Sequence, residues 1–324
     1  MFSVVIPTRN RPALLQRAVE SVLAQTLAAQ DVIVVVDGAV AADLDAYHKL
    51  QLTWATRPVR WLHLPHRAQG HGPSFTRNHG AASATGDYLA FLDDDDLWAL
   101  PDHLHRAQLT LQAHGLVDLY MTAQVAVKAS GDLHPGPLWL DGLEADCPGP
   151  PFDLGNVRVP IAAVASRVGF SHLNCSIYRR EFFQSLGGLD EQMRYEEDRD
   201  LYLRAIDAAA TLLYNPMITA RHFVPDRSAQ DNASTTWTRA AQLLQQMRML
   251  DKCIVGARHA KLRQQARTLK SYALHDLADL MERDDRLAEA AAYRREALGQ
   301  RLSPRGLRFA FTTSLRALLQ ARRT

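Results

Sequence analysis

Four consecutive aspartates, Asp93 to Asp96, close a short apolar run in the stretch GDYLAFLDDDDLW. Carboxylates crowded in this way repel one another, and a cation in their midst relieves the repulsion. Hard carboxylate oxygens suit Mg²⁺ or Mn²⁺, so a divalent metal is the cation this residue type points to. Along a strand, residues two apart share a side, which would turn Asp93 and Asp95 toward one site and Asp94 away from it. The alternative is a solvated acidic turn opening the helix after Pro101. A second acidic cluster, Glu196, Glu197, Asp198 and Asp200, lies about 100 residues further on. The first cluster suits a metal acting as a Lewis acid on a phosphate leaving group. The second suits a base that takes a proton from an attacking hydroxyl. Its plainer reading is a helix N-terminus enriched in acids.

The elements around these clusters alternate. Phe2–Pro7, Val32–Asp37, Val59–Leu64, Asp87–Leu92 and Asp118–Val127 read as strands. Between them Pro12–Gln25, Ser74–Ala84 and His103–His114 carry helical periodicity, with Leu14, Leu15, Ala18, Val19, Val22 and Leu23 on one stripe of the first. Alternation of this kind predicts a mostly parallel sheet covered on both faces. Ligands of such sheets bind beyond the carboxyl ends of the strands. Those ends carry Thr8-Arg9-Asn10, Asp37-Gly38 and Asp93–Asp96. From Ala129 to Gly169 glycines and prolines break regular structure, and a long loop here is either functional or disordered; Trp139 within it either lines an acceptor pocket or anchors the loop. His172–Tyr178 reads as a strand, Arg180–Leu186 as a short helix stopped by Gly187-Gly188, and Glu196 onward as another helix. The pattern from about Thr235 is helical.

At 324 residues, 47% of them hydrophobic, the chain has room for a large α/β domain and a smaller partner. No apolar run approaches the ~20 residues of a spanning helix, and MFSVVIPTRNRP is a strand start, not a signal peptide. Cys147, Cys175 and Cys253 match no zinc or redox spacing, which predicts a reduced, cytoplasmic protein. Residues 240–324 hold 17 Lys and Arg against 8 Asp and Glu, a net +9; with +2 for the whole chain, residues 1–239 carry −7. Such a division implies two regions with different partners.

In order and spacing, SVVIPTRNRPALLQRAVESVLAQT, DVIVVVDG, TRNHGAASATGDYLAFLDDDDLW, and GGLDE followed by EEDRDLYLR together resemble family 2 glycosyltransferases of the GT-A fold. The resemblance covers roughly residues 1–225. It implies a Rossmann-like, mostly parallel α/β sheet built for a nucleotide-diphospho-sugar, with a C-terminal helical extension. The catalytic domain would be residues 1–230, its nucleotide-binding half 1–115 and its acceptor and base half 116–230; a basic helical region would fill 231–324.

Carried over by position, the resemblance assigns Asp93 and Asp95 to the metal, with Asp93 and Asp94 on the sugar-nucleotide side. Pro7, Thr8 and Arg9 fall at the first-strand end near the base, Asp37 at an acidic nucleotide contact, and Arg77 at a nucleotide-side position. Asp198 matches the catalytic base of inverting members, and His222 a histidine near the metal and diphosphate. The cofactor implied is Mn²⁺ or Mg²⁺. The substrates implied are a nucleotide-sugar donor, a UDP-sugar first, and a glycan or lipid-linked acceptor. Departures exist: the second strand ends Val36-Asp37-Gly38-Ala39, short of one carboxylate and one hydroxyl, and Arg9 stands where an aromatic residue is common. The Gln-x-x-Arg-Trp motif of processive synthases is absent, so single-sugar transfer is expected. A non-catalytic sugar-nucleotide-binding protein is the alternative; a sugar-nucleotide pyrophosphorylase fits worse, because PTRNRP has no glycine-rich phosphate loop. The basic tail, with Leu302, Leu307, Phe309, Phe311, Leu315, Leu318 and Leu319 among its arginines, suits either a peripheral contact with the inner face of the membrane or a packed hairpin or homodimer. Nucleic acid is not an expected partner.

Overall fold

The structure is a computed structural model that describes residues 1–134, 139–224 and 236–322. Pro135 to Leu138 of the predicted loop and Arg323 of the basic tail lie outside the described residues. The chain divides into two compact units, Met1–Ala229 and Gln230–Thr324.

The first unit is built on one nine-stranded sheet. Strands β1 (Phe2–Thr8), β2 (Asp31–Val36), β3 (Val59–His63) and β4 (Tyr88–Phe91) lie in the order β3-β2-β1-β4, all parallel. Every residue of β2, DVIVVV, is buried, as a parallel strand covered on both faces must be. Beyond β4 come β8 (Ser176–Arg179), β6 (Leu119–Val127), β9 (Leu212–Phe223) and β5 (Leu97–Trp98), with β7 (Val157–Arg158) also paired to β9. β8 runs antiparallel to both its neighbours, β6 runs parallel to β9, and β5 and β7 run antiparallel to β9. Six of the nine strands therefore point one way.

Helix α1 (Pro12–Leu23) starts on a proline, whose missing N–H costs nothing in a first turn, and buries Leu15, Ala18, Val19 and Val22. Those side chains join Val4, Ile6, Val32 and Val34 in the main core. α3 (Pro73–Ala82), α4 (His103–His114), α6 (Arg180–Ser185) and α7 (Glu197–Ala208) fall close to their predicted spans. α2 (Ala41–Thr53) was hidden from the residue pattern because only Tyr47 of its thirteen residues is buried. The Ala129–Gly169 stretch is less irregular than expected. Besides β7 it holds 3₁₀ turns at Leu143–Asp146 and Asp153–Gly155 and a short helix, α5 (Ile161–Val164). The strand expected over His172–Tyr178 begins only at Ser176, because Leu173–Cys175 closes a 3₁₀ turn capped by His172, whose side chain accepts from the Asn174 amide.

Among its described residues the second unit holds helices α8 (Arg239–Gly256), α9 (Ala260–Arg283), α10 (Leu287–Gln300) and α11 (Pro304–Ala321). Its separate core includes Leu243, Met247, Leu274, Leu277, Ala278 and Ala290. Among the described residues no helix is long and apolar enough to cross a membrane.

Candidate active site

β4 ends at Phe91, so the aspartates stand in a turn and not on a strand; the turn closes through the Asp96 amide on the Asp93 carbonyl (3.1 Å). Strand alternation therefore does not reach them, and the expectation that Asp94 faces away from Asp95 fails. Both engage Arg11. Asp95 accepts from its Nη1 (2.9 Å) and Asp94 from its Nε (3.3 Å) and Nη2. Burial opposes the Arg11 charge, but Asp94 and Asp95 more than restore it and raise its pKa. Burial pushes Asp94 up to about 7 in spite of that arginine, and raises Asp95 as well.

Asp93 and Asp96 face a different set of partners. Asp93 takes Arg77 Nη2 (2.5 Å) on Oδ1, and its amide donates to Asn174 Oδ1 (3.0 Å). Arg77 reaches on through Nη1 to Glu197 Oε1 (3.0 Å), so one buried guanidinium ties the two acidic clusters together. Burial alone would lift the Asp93 pKa; Arg77, with help from His172 and His222, holds it down to about 2. Asp96 is buried, accepting from the Phe223 amide (2.7 Å), from Asn174 Nδ2 and from His222 Nδ1 (2.8 Å). Burial would depress His222, but Asp96, then Asp93 and Asp95, raise it above its ordinary value. His222 thus stands beside the tetrad, with Asp96 orienting its ring.

Helix α7 brings in Asp198. Glu196 at its N-cap takes φ +63°, a left-handed conformation uncommon outside glycine. Asp198 Oδ1 accepts from the Arg199 amide (2.7 Å). Its Oδ2 lies 3.7 Å from His172 Nε2, which is also 3.9 Å from Asp93 Oδ2. The Asn174 amide lies 3.4 Å from His172 Nδ1, which leaves Nε2 turned toward the two carboxylates. Trp139 stands edge-on to His172 and His222 at 6.5 and 5.7 Å between ring centres, so the loop tryptophan borders the site. Arg167 secures that loop by donating to the Asp141 and Gly142 carbonyls (2.8 and 2.7 Å). Asp200 turns instead toward Arg204 (2.8 Å) and belongs to the helix.

The nucleotide-side candidates gather at the neighbouring strand ends. Thr8 Oγ1 and Tyr47 Oη are 3.0 Å apart just beyond Pro7, and Tyr47 Oη accepts the Arg11 amide (3.0 Å). Arg9 donates to the Arg67 and Ala68 carbonyls (3.0 and 2.9 Å). Asp37 accepts from the His71 amide (2.8 Å), His71 Nδ1 (2.7 Å) and the Gly72 amide (3.1 Å). Gly70 makes room for that carboxylate: at φ +64° a β-carbon there would stand 2.5 Å from Asp37 Oδ2.

The donor set fits a divalent cation. Ligand atoms of Asp93, Asp96 and His172 lie within 4.8 Å of one another. The structure thus gathers a somewhat different group from the expected Asp93, Asp95 and His222, because the turn folds Asp95 onto Arg11 and Asp96 inward. Carboxylate oxygens with an imidazole nitrogen suit Mn²⁺ and tolerate Mg²⁺. The buried Nε atoms of Arg9 and Arg77 lack hydrogen-bond partners, which leaves donors suited to an anion. Arg11, His172 and Asn174 were not singled out from sequence, and Glu197 only as a member of the second acidic cluster. The surplus of carboxylate signalled that cations must be near, but not which of 37 Lys and Arg would supply them.

The profile of Glycosyl transferase family 2 matches residues 3–187, and the chain belongs to that family. The pre-mycofactocin glycosyltransferase of Mycobacterium tuberculosis is 31% identical over 227 residues, covering 68% of this chain and 42% of its own. The chain thus spans less than half the length of that relative. An uncharacterized glycosyltransferase of Haemophilus influenzae is 22% identical over 249 residues, 76% of each chain. Among solved structures, S. aureus TarS 1-349 in complex with UDP superposes with a TM-score of 0.61 at 16% identity, over 92% of this chain and 79% of that one. The mannosyltransferase PcManGT from Pyrobaculum calidifontis, in complex with GDP-Man and Mn²⁺, gives 0.58 at 16% identity, over 98% and 80%. These likenesses establish a GT-A fold with C-terminal helices.

Proposed function

We propose that the chain is a metal-dependent, inverting glycosyltransferase. It moves one sugar at a time from a nucleoside-diphosphate donor to a hydroxyl of a glycan or glycolipid. The observation that carries this reading is the meeting of Asp93 and Asp198 on the two sides of His172 Nε2, at 3.9 and 3.7 Å. One carboxylate serves the leaving group's side and the other the acceptor's. Asp198 takes the acceptor hydroxyl's proton as that oxygen bonds to the anomeric carbon and the carbon–phosphate-oxygen bond breaks on the opposite face. Asp93, Asp96 and His172 would hold Mn²⁺ or Mg²⁺, with Asp95 and His222 beside them; when bound, the ion supplies positive charge to the departing diphosphate. Arg77 adds fixed charge beside it, and Pro7, Thr8, Arg9, Asp37 and Asp94 line the nucleotide side. The UDP complex of TarS favours a UDP-sugar, whereas the GDP-Man complex of PcManGT makes GDP-sugars the first competitor.

A thermal-shift panel of UDP-, GDP-, TDP- and CMP-sugars with and without Mn²⁺ tests the donor. One donor should give a Mn²⁺-dependent shift that Asp93→Asn removes. Asp198→Asn should keep that shift and lose about 10²–10⁴-fold in transfer rate. Full transfer activity in Asp198→Asn overturns the assignment of the base.

A further inference from the structure

Helix α11 has two unlike sides. Gly306, Ala310 and Thr313 are buried, and Thr313 Oγ1 donates to Glu282 Oε1 (2.9 Å) on α9. Leu307, Phe311, Leu315, Leu318 and Leu319 instead stand 50, 70, 47, 64 and 50% exposed. At ~100° per residue these five fall within one arc of about 120°, turned away from the buried side. A contiguous apolar stripe of this kind on a surface is an interaction site.

Charge identifies what covers it. No Asp or Glu follows Glu296, whereas Arg301, Arg305, Arg308, Arg316, Arg322 and Arg323 do. Arg308 and Arg322 lie inside the apolar arc and Arg305 along one edge, while Arg316 pairs with Glu282 of α9 (2.7 Å). A second copy docked by the same face would set arginine against arginine, with no acid on the helix to answer them. An anionic bilayer meets both demands: its headgroup phosphates pair with the guanidinium groups while its acyl boundary takes the leucines and Phe311. We infer that α11 seats the protein on an anionic lipid surface. The inference stands apart from the proposed transfer reaction, since it uses no residue of that site.

Flotation of the full chain tests it, with phosphatidylcholine vesicles alone or carrying about 30% phosphatidylglycerol. The protein should float with the anionic vesicles, stay behind with neutral ones, and be released by high salt. Phe311→Ser with Leu318→Ser, both at exposed positions, should weaken partitioning about tenfold or more. Arg308→Glu should do so as well, with thermal stability unchanged in either variant. Absence of flotation on anionic vesicles, or equal binding to neutral ones, overturns the inference. So does a dimer in analytical ultracentrifugation that Phe311→Ser dissolves.

Discussion

Glu197 and Asp93 share one arginine and respond in opposite ways. Burial drives Glu197 up to about 7, whereas Asp93, equally enclosed, is held down to about 2 by Arg77 and the neighbouring histidines. A carboxyl with a raised folded pKa holds a proton that the unfolded chain has already released. Its contribution to stability is full below its ordinary 4.5 and is lost as pH climbs through about 7. Melting temperatures without added metal should therefore fall between pH 5 and 8, and Glu197→Gln should flatten that fall, with Asp94 leaving a residual slope. Calorimetry across this range decides; a variant as steep as the parent chain rejects the account. At this scale the crowding of carboxylates was legible, because four adjacent aspartates repel one another unless cations stand close by. His172 was not. A lone histidine in a strand-like run carries no signal until the turn at Leu173–Cys175 swings its ring between two carboxylates from distant segments.

At the scale of elements, the site depends on α3 lying tight against the sheet. Gly80, one turn beyond Arg77, makes that possible: a β-carbon there would stand 2.5 Å from Val5 Cγ1 and 3.0 Å from Val35 Cγ2. Gly80→Ala should push α3 off β1 and β2 and cost about 1–3 kcal/mol, measured by chemical denaturation. Because Arg77 moves with the helix, donor affinity should fall too; unchanged stability and affinity together would show that the helix is not held there. Long elements with a clear apolar stripe, such as α1 and β2, were readable from their residues because burial imposes a period on sequence. α2 buries one aromatic residue, and β5 is two residues long, so neither leaves a period to read.

Across the whole molecule, the described residues of the two units pack in separate clusters, and the basic charge falls on the second unit. Leu243 is fully buried in that second core. Leu243→Ala should lower its stability by about 2–5 kcal/mol through the cavity left behind. If nucleotide binding resides in the first unit, calorimetric affinity for the donor below the unfolding range should remain unchanged; a large loss would assign part of the donor site to the helices.

Sequence alone determined the class of fold and the ligand edge, since alternating apolar runs admit few packings and polar strand ends mark where ligands gather. It also determined that two acidic clusters had to be reconciled with nearby cations. Only the tertiary structure decided which partners: Arg11 for Asp94 and Asp95, Arg77 for Asp93 and Glu197, and the His222 imidazole for Asp96. Those pairings span 83 to 126 positions along the chain, apart from the 16 between Arg77 and Asp93. Local propensity and periodicity act over a few residues, so partners this distant become visible only when the sheet brings its strand ends to one edge.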